Sequence, residues 1–598
     1  MQEVLRVENL TVRIGSRNPL EAVTDVSFTL TKGECFALVG ESGCGKSLTA
    51  LSLMRLLPEG VHAQSGKVIL SGTDLMALTE GEMQSVRGAK IAMIFQEPAT
   101  SLNPVMTVGD QIVEAVRLHE AADRKTARAR ALEWLRRVGL DEPERRLSAF
   151  PHELSGGQKQ RVMIAMALAC EPDVLVADEP TTALDVTRQA QILDLLKELG
   201  KEKGVAILLI THDLALVRRY ADRVALMYAG NIVESAPVKD FFERPLHPYA
   251  QLLLSAVPSA DKSGRTLTGI AGAVPDLSAM PAGCRFAPRC PLAEASCGKT
   301  APMLKKVALE RLVRCPKARV LELSSGRALE FSSSSEETVL KLTDVSVTYE
   351  AGGGLFSRKK AFEVVRGVTL ELKAGRTLAL VGESGSGKTT LAKAALGLLT
   401  DARVTGGVEI AGSPAFDARG RFKHPLRAAA QIVFQDPFAS LDPRMSVGEL
   451  VAEGILAVRP ETGKDEAKRE VARLLERVGL PSGAFSRLAH EFSGGQRQRI
   501  AIARALAVRP RLVVCDESTS ALDVSVQAQI LNLLRQIQAE EGVSYLFITH
   551  NFAVVEFMAH EAAVMRKGQV VEQGKAAQIL THPQHPYTRE LLSAVPRL

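Results

Sequence analysis

Gly40-Glu41-Ser42-Gly43-Cys44-Gly45-Lys46-Ser47 lies early in the 598-residue chain, and Gly382-Glu383-Ser384-Gly385-Ser386-Gly387-Lys388-Thr389 lies well past its middle. Both fit GxxxxGK[ST], a pattern whose glycines let backbone N–H groups curl round a phosphate chain while the following helix adds its positive end. Each is approached by a short apolar strand, Cys35-Phe36-Ala37-Leu38-Val39 in the first case, and opens a predicted helix through Leu48 or Thr390. A single match of this kind is often only a glycine turn before a helix. Here Gln96 and Gln435, Ser155 and Ser493, Asp178 and Asp516, and His212 and His550 also recur, all at an offset of about 340 residues. The chain is therefore read as a tandem duplication.

The remaining composition narrows the class. With 46% apolar and 4% aromatic residues, a chain of this length has ample material for more than one α/β core. No stretch approaches the roughly 18 apolar residues of a spanning helix. The start Met1-Gln2-Glu3-Val4-Leu5-Arg6 lacks the layout of a signal peptide, so a cytosolic protein is expected. A net charge of +6 is too small to argue for nucleic acid, but residues 281–320 concentrate nine Lys or Arg against two Asp or Glu. Four of the eight cysteines, Cys284, Cys290, Cys297 and Cys315, fall in that basic piece, where metal ligation is a better first reading than disulfides.

The motifs divide the chemistry of a bound nucleoside triphosphate among themselves. Lys46 and Lys388 reach the outer phosphates, Ser47 and Thr389 ligate Mg²⁺, Gly40, Ser42, Gly43, Cys44 and Gly45, with Gly382, Ser384, Gly385, Ser386 and Gly387, form the cradle, and Leu48 and Thr390 add to the nucleotide-binding set. Val174-Leu175-Val176-Ala177-Asp178-Glu179 and Leu512-Val513-Val514-Cys515-Asp516-Glu517 each end an apolar strand in adjacent carboxylates. Asp178 and Asp516 can hold magnesium through water, while Glu179 and Glu517 can polarise the attacking water as general bases. Gln96 and Gln435 are placed to sense the metal and the water, and His212 and His550 to contact the γ-phosphate. Between Gln96 and Ser155, Ala127, Ala131, Leu135 and Val138 share one face at helical spacing, which predicts an inserted helical region.

Leu154-Ser155-Gly156-Gly157-Gln158 and Phe492-Ser493-Gly494-Gly495-Gln496 each precede such a helical pattern. They resemble the signature motif of ABC ATPases, and the likeness runs through nearly all of both halves. The resemblance implies an α/β fold of two tandem ABC-type P-loop ATPase domains. Each would have a RecA-like core, an antiparallel β subdomain and a helical subdomain, and a small cysteine-containing appendage would follow the first. The expected boundaries are 1–260 for the first domain, 261–323 for the appendage, 324–338 for a serine-rich flexible linker and 339–598 for the second domain. The resemblance further implies ATP with Mg²⁺ and an intramolecular pairing of the two domains. Ser155, Gly157 and Gln158 would then face the nucleotide held by Lys388, while Ser493, Gly495 and Gln496 face that held by Lys46. Thr182-Ala183-Leu184-Asp185 and Ser520-Ala521-Leu522-Asp523 resemble the D-loops of that family.

Two asymmetries stand out between the copies. The family places an aromatic residue against adenine; Tyr349 fills that position in the second repeat, whereas Ile14 aligns with it in the first. Cys44 stands opposite Ser386, and since a thiol near a helix start can have a lowered pKa, Cys44 is expected to react with thiol reagents and to be shielded by MgATP.

Gly283-Cys284-Arg285-Phe286-Ala287-Pro288-Arg289-Cys290-Pro291 resembles the segment after the nucleotide-binding domain in importers of the oligopeptide and dipeptide class, where four cysteines can hold a [4Fe–4S] cluster. On the residues alone, zinc or four reduced cysteines in a packed module stay open, because the spacing lacks CxxC knuckles. Pro98-Ala99-Thr100-Ser101-Leu102-Asn103-Pro104, Pro437-Phe438-Ala439-Ser440-Leu441-Asp442-Pro443 and the endings His247-Pro248-Tyr249 and His585-Pro586-Tyr587 are similar to the same class. The implied function is the ATP-hydrolysing subunit of an importer of peptides or peptide-like solutes, peripheral on the cytoplasmic face of the inner membrane. Its implied partners are two membrane permease subunits and a periplasmic or extracellular solute-binding protein, with no nucleic acid. The competing class is a soluble twin ATPase acting on ribosomes or DNA. Such proteins carry a long charged linker, an amino-terminal iron–sulfur domain or zinc modules inside the ATPase domains, and this chain has none of these arrangements.

Overall fold

The strand Cys35–Gly40 is buried along its whole length, flanked in parallel by Ala206–Thr211 on one side and Arg223–Tyr228 on the other. Val174–Asp178 and Ile91–Ile94 continue the parallel order beyond Ala206–Thr211. Strands covered on both faces have no solvent side to alternate with, which is why they read as unbroken apolar runs. The computed structural model describes every residue except 1, 182–183, 319–320, 322–325, 327–335, 352–359, 521 and 597. The serine-rich linker expected over 324–338 lies mostly outside the described residues.

The chain forms two compact units. One comprises Met1–Ser255, Ile270–Leu323 and Pro596–Leu598; the other comprises Ala256–Gly269 and Ser324–Val595. Ala256–Gly269, which spans the expected boundary at 260, thus belongs with the second repeat. There Asn532 donates its side-chain N–H to the Leu267 carbonyl at 2.8 Å and accepts the Leu267 N–H at 2.8 Å.

Each unit adds two further layers to its core sheet. In the first, Leu20–Thr31, Glu3–Ile14, Val61–Leu70 and Thr73–Asp74 form an antiparallel sheet; Lys360–Lys373, Thr338–Ala351, Ala402–Ile410 and Ser413–Pro414 form its counterpart. The helical layer of the first unit holds Val108–His119, Arg124–Arg137 and Gly156–Leu168. The predicted face of Ala127, Ala131 and Leu135 is buried there, together with Trp134, the one tryptophan of the chain. Val447–Val458, Lys464–Arg477 and Gly494–Leu506 repeat the arrangement. These layers agree with the expected core, β subdomain and helical subdomain.

The two core sheets differ at one edge. The second is six-stranded and ends at Gln569–Lys575, whereas the first continues past Asn231–Pro237 into Arg311–Val313 and Lys305–Ala308, making eight strands. The cysteine-bearing piece is therefore built onto the first sheet by antiparallel pairing. Glu234, fully buried on Asn231–Pro237, accepts the N–H groups of Leu246 at 3.0 Å and His247 at 2.7 Å and takes Arg311 at 3.0 Å. Those bonds pin the His247-Pro248-Tyr249 turn. In the second unit Glu572 does the same for Gln584 and His585, at 2.8 and 3.1 Å.

Removing one partner of a buried charge pair leaves the other desolvated and uncompensated, at a cost of about 3–5 kcal/mol. Glu234→Ala is accordingly expected to lower the calorimetric transition of the first unit while the transition of the second stays put. An unmoved first transition would contradict this account of the edge.

Candidate nucleotide sites

Both phosphate loops turn at the carboxyl end of a central parallel strand, the end at which open α/β sheets bind ligands. Neighbouring backbone forces the glycine there. A Cβ on Gly40 would come within 2.3 Å of the Met227 carbonyl oxygen, and one on Gly382 within 2.3 Å of that of Met565. Lys46 Nζ donates to the Gly40 and Glu41 carbonyls at 2.8 and 3.0 Å, and Lys388 Nζ to those of Gly382 and Glu383 at 2.9 and 2.8 Å. The ammonium groups are thereby folded over the loops. The helices that follow, Lys46–Leu53 and Lys388–Ala395, have no side-chain cap, so their first N–H groups are left for an anion. Ser42 and Ser384 stand on the loops themselves, and Ser386 is buried beneath the second.

Beside each loop lies a place suited to a cation. Ser47 is hydrogen-bonded to Asp178, and Thr389 Oγ1 donates to Asp516 Oδ1 at 2.9 Å. Asp178 Oδ1 is buried with no hydrogen-bond partner, the kind of orphaned acceptor that a hydrated Mg²⁺ satisfies. Burial pushes both aspartate carboxyls above their ordinary range, and the adjacent glutamates add to the rise. Strand-terminal acids are often solvated; these two are not.

Glu179 and Glu517 leave the strands with left-handed backbones, φ 47° and 46°, a conformation that costs a residue with a Cβ about 1 kcal/mol or more. Each is held there by its N–H donating to a strand carbonyl, Ile210 at 2.9 Å and Ile548 at 3.0 Å. The turn swings the carboxylate into a group of polar side chains. Gln96 Nε2 donates to Glu179 Oε2 at 3.1 Å, and His212 Nδ1 lies 2.9 Å from Oε1. Gln435 Nε2 donates to Glu517 at 2.8 Å, with His550 Nδ1 at 3.6 Å. The His550 ring holds the Glu517 carboxyl below its ordinary range, against the opposing effect of burial. Glutamine, glutamate and histidine, far apart in sequence, thus meet twice in the same order. Such a carboxylate can accept a proton from water, with the histidine and the glutamine fixing its direction.

Ser155 and Ser493 open the signature helices by reciprocal capping. Each accepts the backbone N–H of Gln158 or Gln496, at 3.3 and 3.4 Å, and each glutamine side chain accepts the serine N–H at 3.1 Å. Gly156 and Gly494 face open space, so the helix start is unobstructed, while a Cβ on Gly157 or Gly495 would press on Leu184 at 3.1 Å or Val526 at 2.5 Å. Arg161 ties the first signature helix to the Val138 and Gly139 carbonyls at 2.6 and 2.7 Å and to Gln191 at 3.0 Å. Arg499 does the same with Val478 and Gln529.

The strand registers test the aromatic position. Ile14 pairs with Leu20 and Val61, as Tyr349 pairs with Phe362 and Ala402, so the two residues occupy one site in the repeat. The expectation for Cys44 fails. Its side chain is 0% exposed and packs into the core beneath the loop, so a thiol reagent has no path to it while the loop is folded. The loop's curvature turns that side chain inward, which a helix-terminus argument could not foresee. Thr182, Ala183 and Ala521 of the expected D-loops lie outside the described residues.

Cys284, Cys290, Cys297 and Cys315 all line one cavity of about 350 Å³, which Arg314 and Lys317 also line. Burial raises the Cys284 and Cys315 thiols and brings Cys290 to about 11. Among the described residues, no three His, Cys, Asp or Glu side chains stand close enough together to hold a metal ion. The expected metal centre is thus not preformed: the thiols surround a space instead of converging on a point. The arginines of this piece have specific partners that the sequence, showing them only as part of a basic stretch, does not reveal: Arg285 Nη2 donates to Thr24 Oγ1 at 2.9 Å and Arg289 pairs with Glu41.

Two phosphate loops on parallel sheets, each with a cation-ready aspartate, a strained glutamate and a capped serine–glycine helix, define a twin P-loop ATPase. The family pattern described as ABC transporter matches residues 23–182 and again 365–520. That described as the oligopeptide/dipeptide transporter C-terminal region matches 233–297 and 571–598. The chain belongs to the ABC transporter family and carries two of its ATPase domains. Among its relatives, it is 46% identical over 613 residues to the oligopeptide transport ATP-binding protein OppD of Mycobacterium bovis, with 100% of this chain and 99% of that one covered. It is 44% identical over 596 residues to the peptidoglycan transport ATP-binding protein YejF of Agrobacterium fabrum, covering 99% and 96%. Against the glutathione import ATP-binding protein GsiA of Escherichia coli it is 45% identical over 603 residues, covering 99% and 89%.

The raised aspartates carry a sign. A carboxyl whose folded pKa is raised by burial favours folding only below its ordinary range, and that contribution is lost as pH rises through the raised value. Ionising each aspartate is therefore a cost to the folded protein that grows as pH rises. Asp178→Asn and Asp516→Asn should each raise the melting temperature of the nucleotide-free protein at pH 7, the gain shrinking in acid, and should abolish the further rise on adding MgATP. Scanning fluorimetry with and without MgATP checks both; a lower melting temperature without nucleotide would refute the sign.

Proposed function

We propose that this chain energises an importer of peptides or peptide-like solutes by binding and hydrolysing ATP at two sites. The observation that carries the reading is the duplicated meeting of Gln96, Glu179 and His212, and of Gln435, Glu517 and His550, beside intact phosphate loops. Likeness over the full length to relatives named for oligopeptide, peptidoglycan and glutathione transport supports the solute class. Lys46 and Lys388 bind the outer phosphates, Ser47 with Asp178 and Thr389 with Asp516 hold Mg²⁺, and Gln96 and Gln435 add to its shell. Glu179 and Glu517 take the proton of the attacking water, which His212 and His550 help to orient against the γ-phosphate. Mg²⁺, when bound, neutralises charge that develops on the phosphate oxygens.

The signature residues Ser155, Gly157, Gln158 and Ser493, Gly495, Gln496 open helices by reciprocal serine–glutamine capping. Their capped helix ends are suited to an anion presented by the other repeat. On this reading Ser493 completes the site of Lys46 and Ser155 that of Lys388, so ATP joins the two domains and hydrolysis parts them. Tyr349 stacks on adenine in the second site, while Ile14 offers the first only an apolar surface.

No helix among the described residues is long and apolar enough to cross a membrane. The solute path is accordingly assigned to two membrane permease subunits, supplied by an external solute-binding protein. The chain works on the cytoplasmic face of the inner membrane. Exposed Val105 and Phe438, just beyond Gln96 and Gln435, give the permease subunits apolar surface to engage.

For the four cysteines the reading is a [4Fe–4S] cluster, and their shared cavity is the supporting observation, since such a group is held from its periphery by four thiolates. When bound, it would cross-link Cys284, Cys290, Cys297 and Cys315 into one structural staple. Arg314 and Lys317 would offset its negative charge.

Glu179→Gln combined with Glu517→Gln should cut ATP hydrolysis at least about 100-fold while ATP binding persists. Tagged protein of this kind, taken from detergent-solubilised membranes, should bring down permease subunits; full turnover, or recovery of ribosomes instead, would overturn the reading. Protein prepared without air should contain iron and acid-labile sulfide in equal amounts, lost together in Cys290→Ser. Stoichiometric zinc would displace the cluster assignment.

A further inference from the structure

Glu41 follows the first glycine of the first phosphate loop, and its main chain belongs to the machinery already described: its carbonyl accepts Lys46 Nζ at 3.0 Å and the Cys44 N–H at 3.2 Å. Its side chain points the other way. The carboxylate is 4% exposed and is met by the guanidinium of Arg289, itself 3% exposed, in a two-pronged pair at 2.8 and 3.3 Å. The partners are 248 residues apart in sequence, and Arg289 immediately precedes Cys290. Arg289 is held on its own side as well. Its Nε donates to the Ala271 carbonyl at 2.9 Å, and its guanidinium lies 5.7 Å from the centre of the Tyr228 ring. The cysteine appendage thus reaches under the phosphate loop and grips it at one side chain.

The charge of Glu41 has the wrong sign for its position. A carboxylate on a loop that binds a polyanion must either stay buried without compensation or swing toward the mouth where phosphates enter, and both oppose binding. Paired with Arg289 it does neither. The equivalent position in the second repeat has different surroundings. Glu383 is partly exposed, and where the first repeat has Tyr228 the second has Arg566, whose guanidinium sits 4.5 Å from the ring of Tyr587.

We propose that Arg289 is a positioning residue for the first nucleotide site alone, through which the folded state of the cysteine appendage sets the ATP affinity of one site and not the other. The inference rests on the reading that Gly40–Ser47 binds ATP. It requires nothing of the group that the cysteines hold beyond their keeping Arg289 in place.

The test measures equilibrium binding of a fluorescent ATP analogue with Mg²⁺ to the full chain, in two backgrounds. Lys388→Ala isolates the first site and Lys46→Ala the second. Arg289→Ala is expected to weaken the first site about tenfold or more and to leave the second unchanged. Arg289→Lys should fall between, since an ammonium keeps the charge and loses the two-pronged geometry. Adding Glu41→Gln to Arg289→Ala should bring first-site affinity back to within about threefold, because the unpaired charge is then gone; simple misfolding of the appendage would not be rescued this way. Unchanged first-site affinity in Arg289→Ala, equal weakening of both sites, or no rescue by Glu41→Gln would each overturn the inference. Failure of the analogue to bind the first site with Arg289 intact would instead overturn the nucleotide reading on which it stands.

Discussion

The organising constraint is a close approach of backbones. A loop that holds phosphates by its N–H groups has to double back hard against the neighbouring strand, and at Gly40 and Gly382 the carbonyl of that strand leaves no room for a Cβ. The surrounding features follow from holding an anion at that bend. The lysine folds over its own loop carbonyls, the aspartate beside it is buried with an unsatisfied oxygen in the first repeat, and the next glutamate is held in a left-handed turn. The buried acceptor and the left-handed turn each carry an energetic cost. Functional sites concentrate strain of this kind because the scaffold over-determines them.

Duplication has kept that constraint and relaxed others. Both repeats retain the glutamine–glutamate–histidine meeting and the capped signature helix, but their edges have diverged. In the first unit Tyr228 and Tyr249 pack with Phe286 of the cysteine appendage, ring centroids 5.1 and 5.3 Å from it, inside a fully buried cluster. In the second, Arg566 covers Tyr587 with its guanidinium and the sheet stops. An arginine over a tyrosine face is an acceptable substitute for a third ring, since it is apolar along its stem and its charge can remain in water. The same divergence gives the first phosphate loop a buried ion pair and leaves Glu383 partly exposed. The surroundings of the two phosphate loops are therefore chemically unequal.

Sequence alone was sufficient wherever the chemistry is local. A glycine-rich loop between strand and helix, adjacent acids at a strand end, or a serine three residues before a glutamine each fit within a few residues, so composition and spacing specify their geometry. Duplication supplied a second, independent reading of each, and the parallel core, antiparallel layer and helical layer followed. Tertiary structure decided what depends on distant partners or on which way a side chain turns. Arg289 meets Glu41 across 248 residues, and no periodicity links them. Cys44 is sealed in the core because the loop curves inward, although its place before a helix suggested a reactive thiol. The four cysteines line one cavity, a placement that their spacing alone, which lacks CxxC knuckles, did not specify. Local propensity is written in neighbouring residues, whereas burial and pairing are properties of the folded chain as a whole.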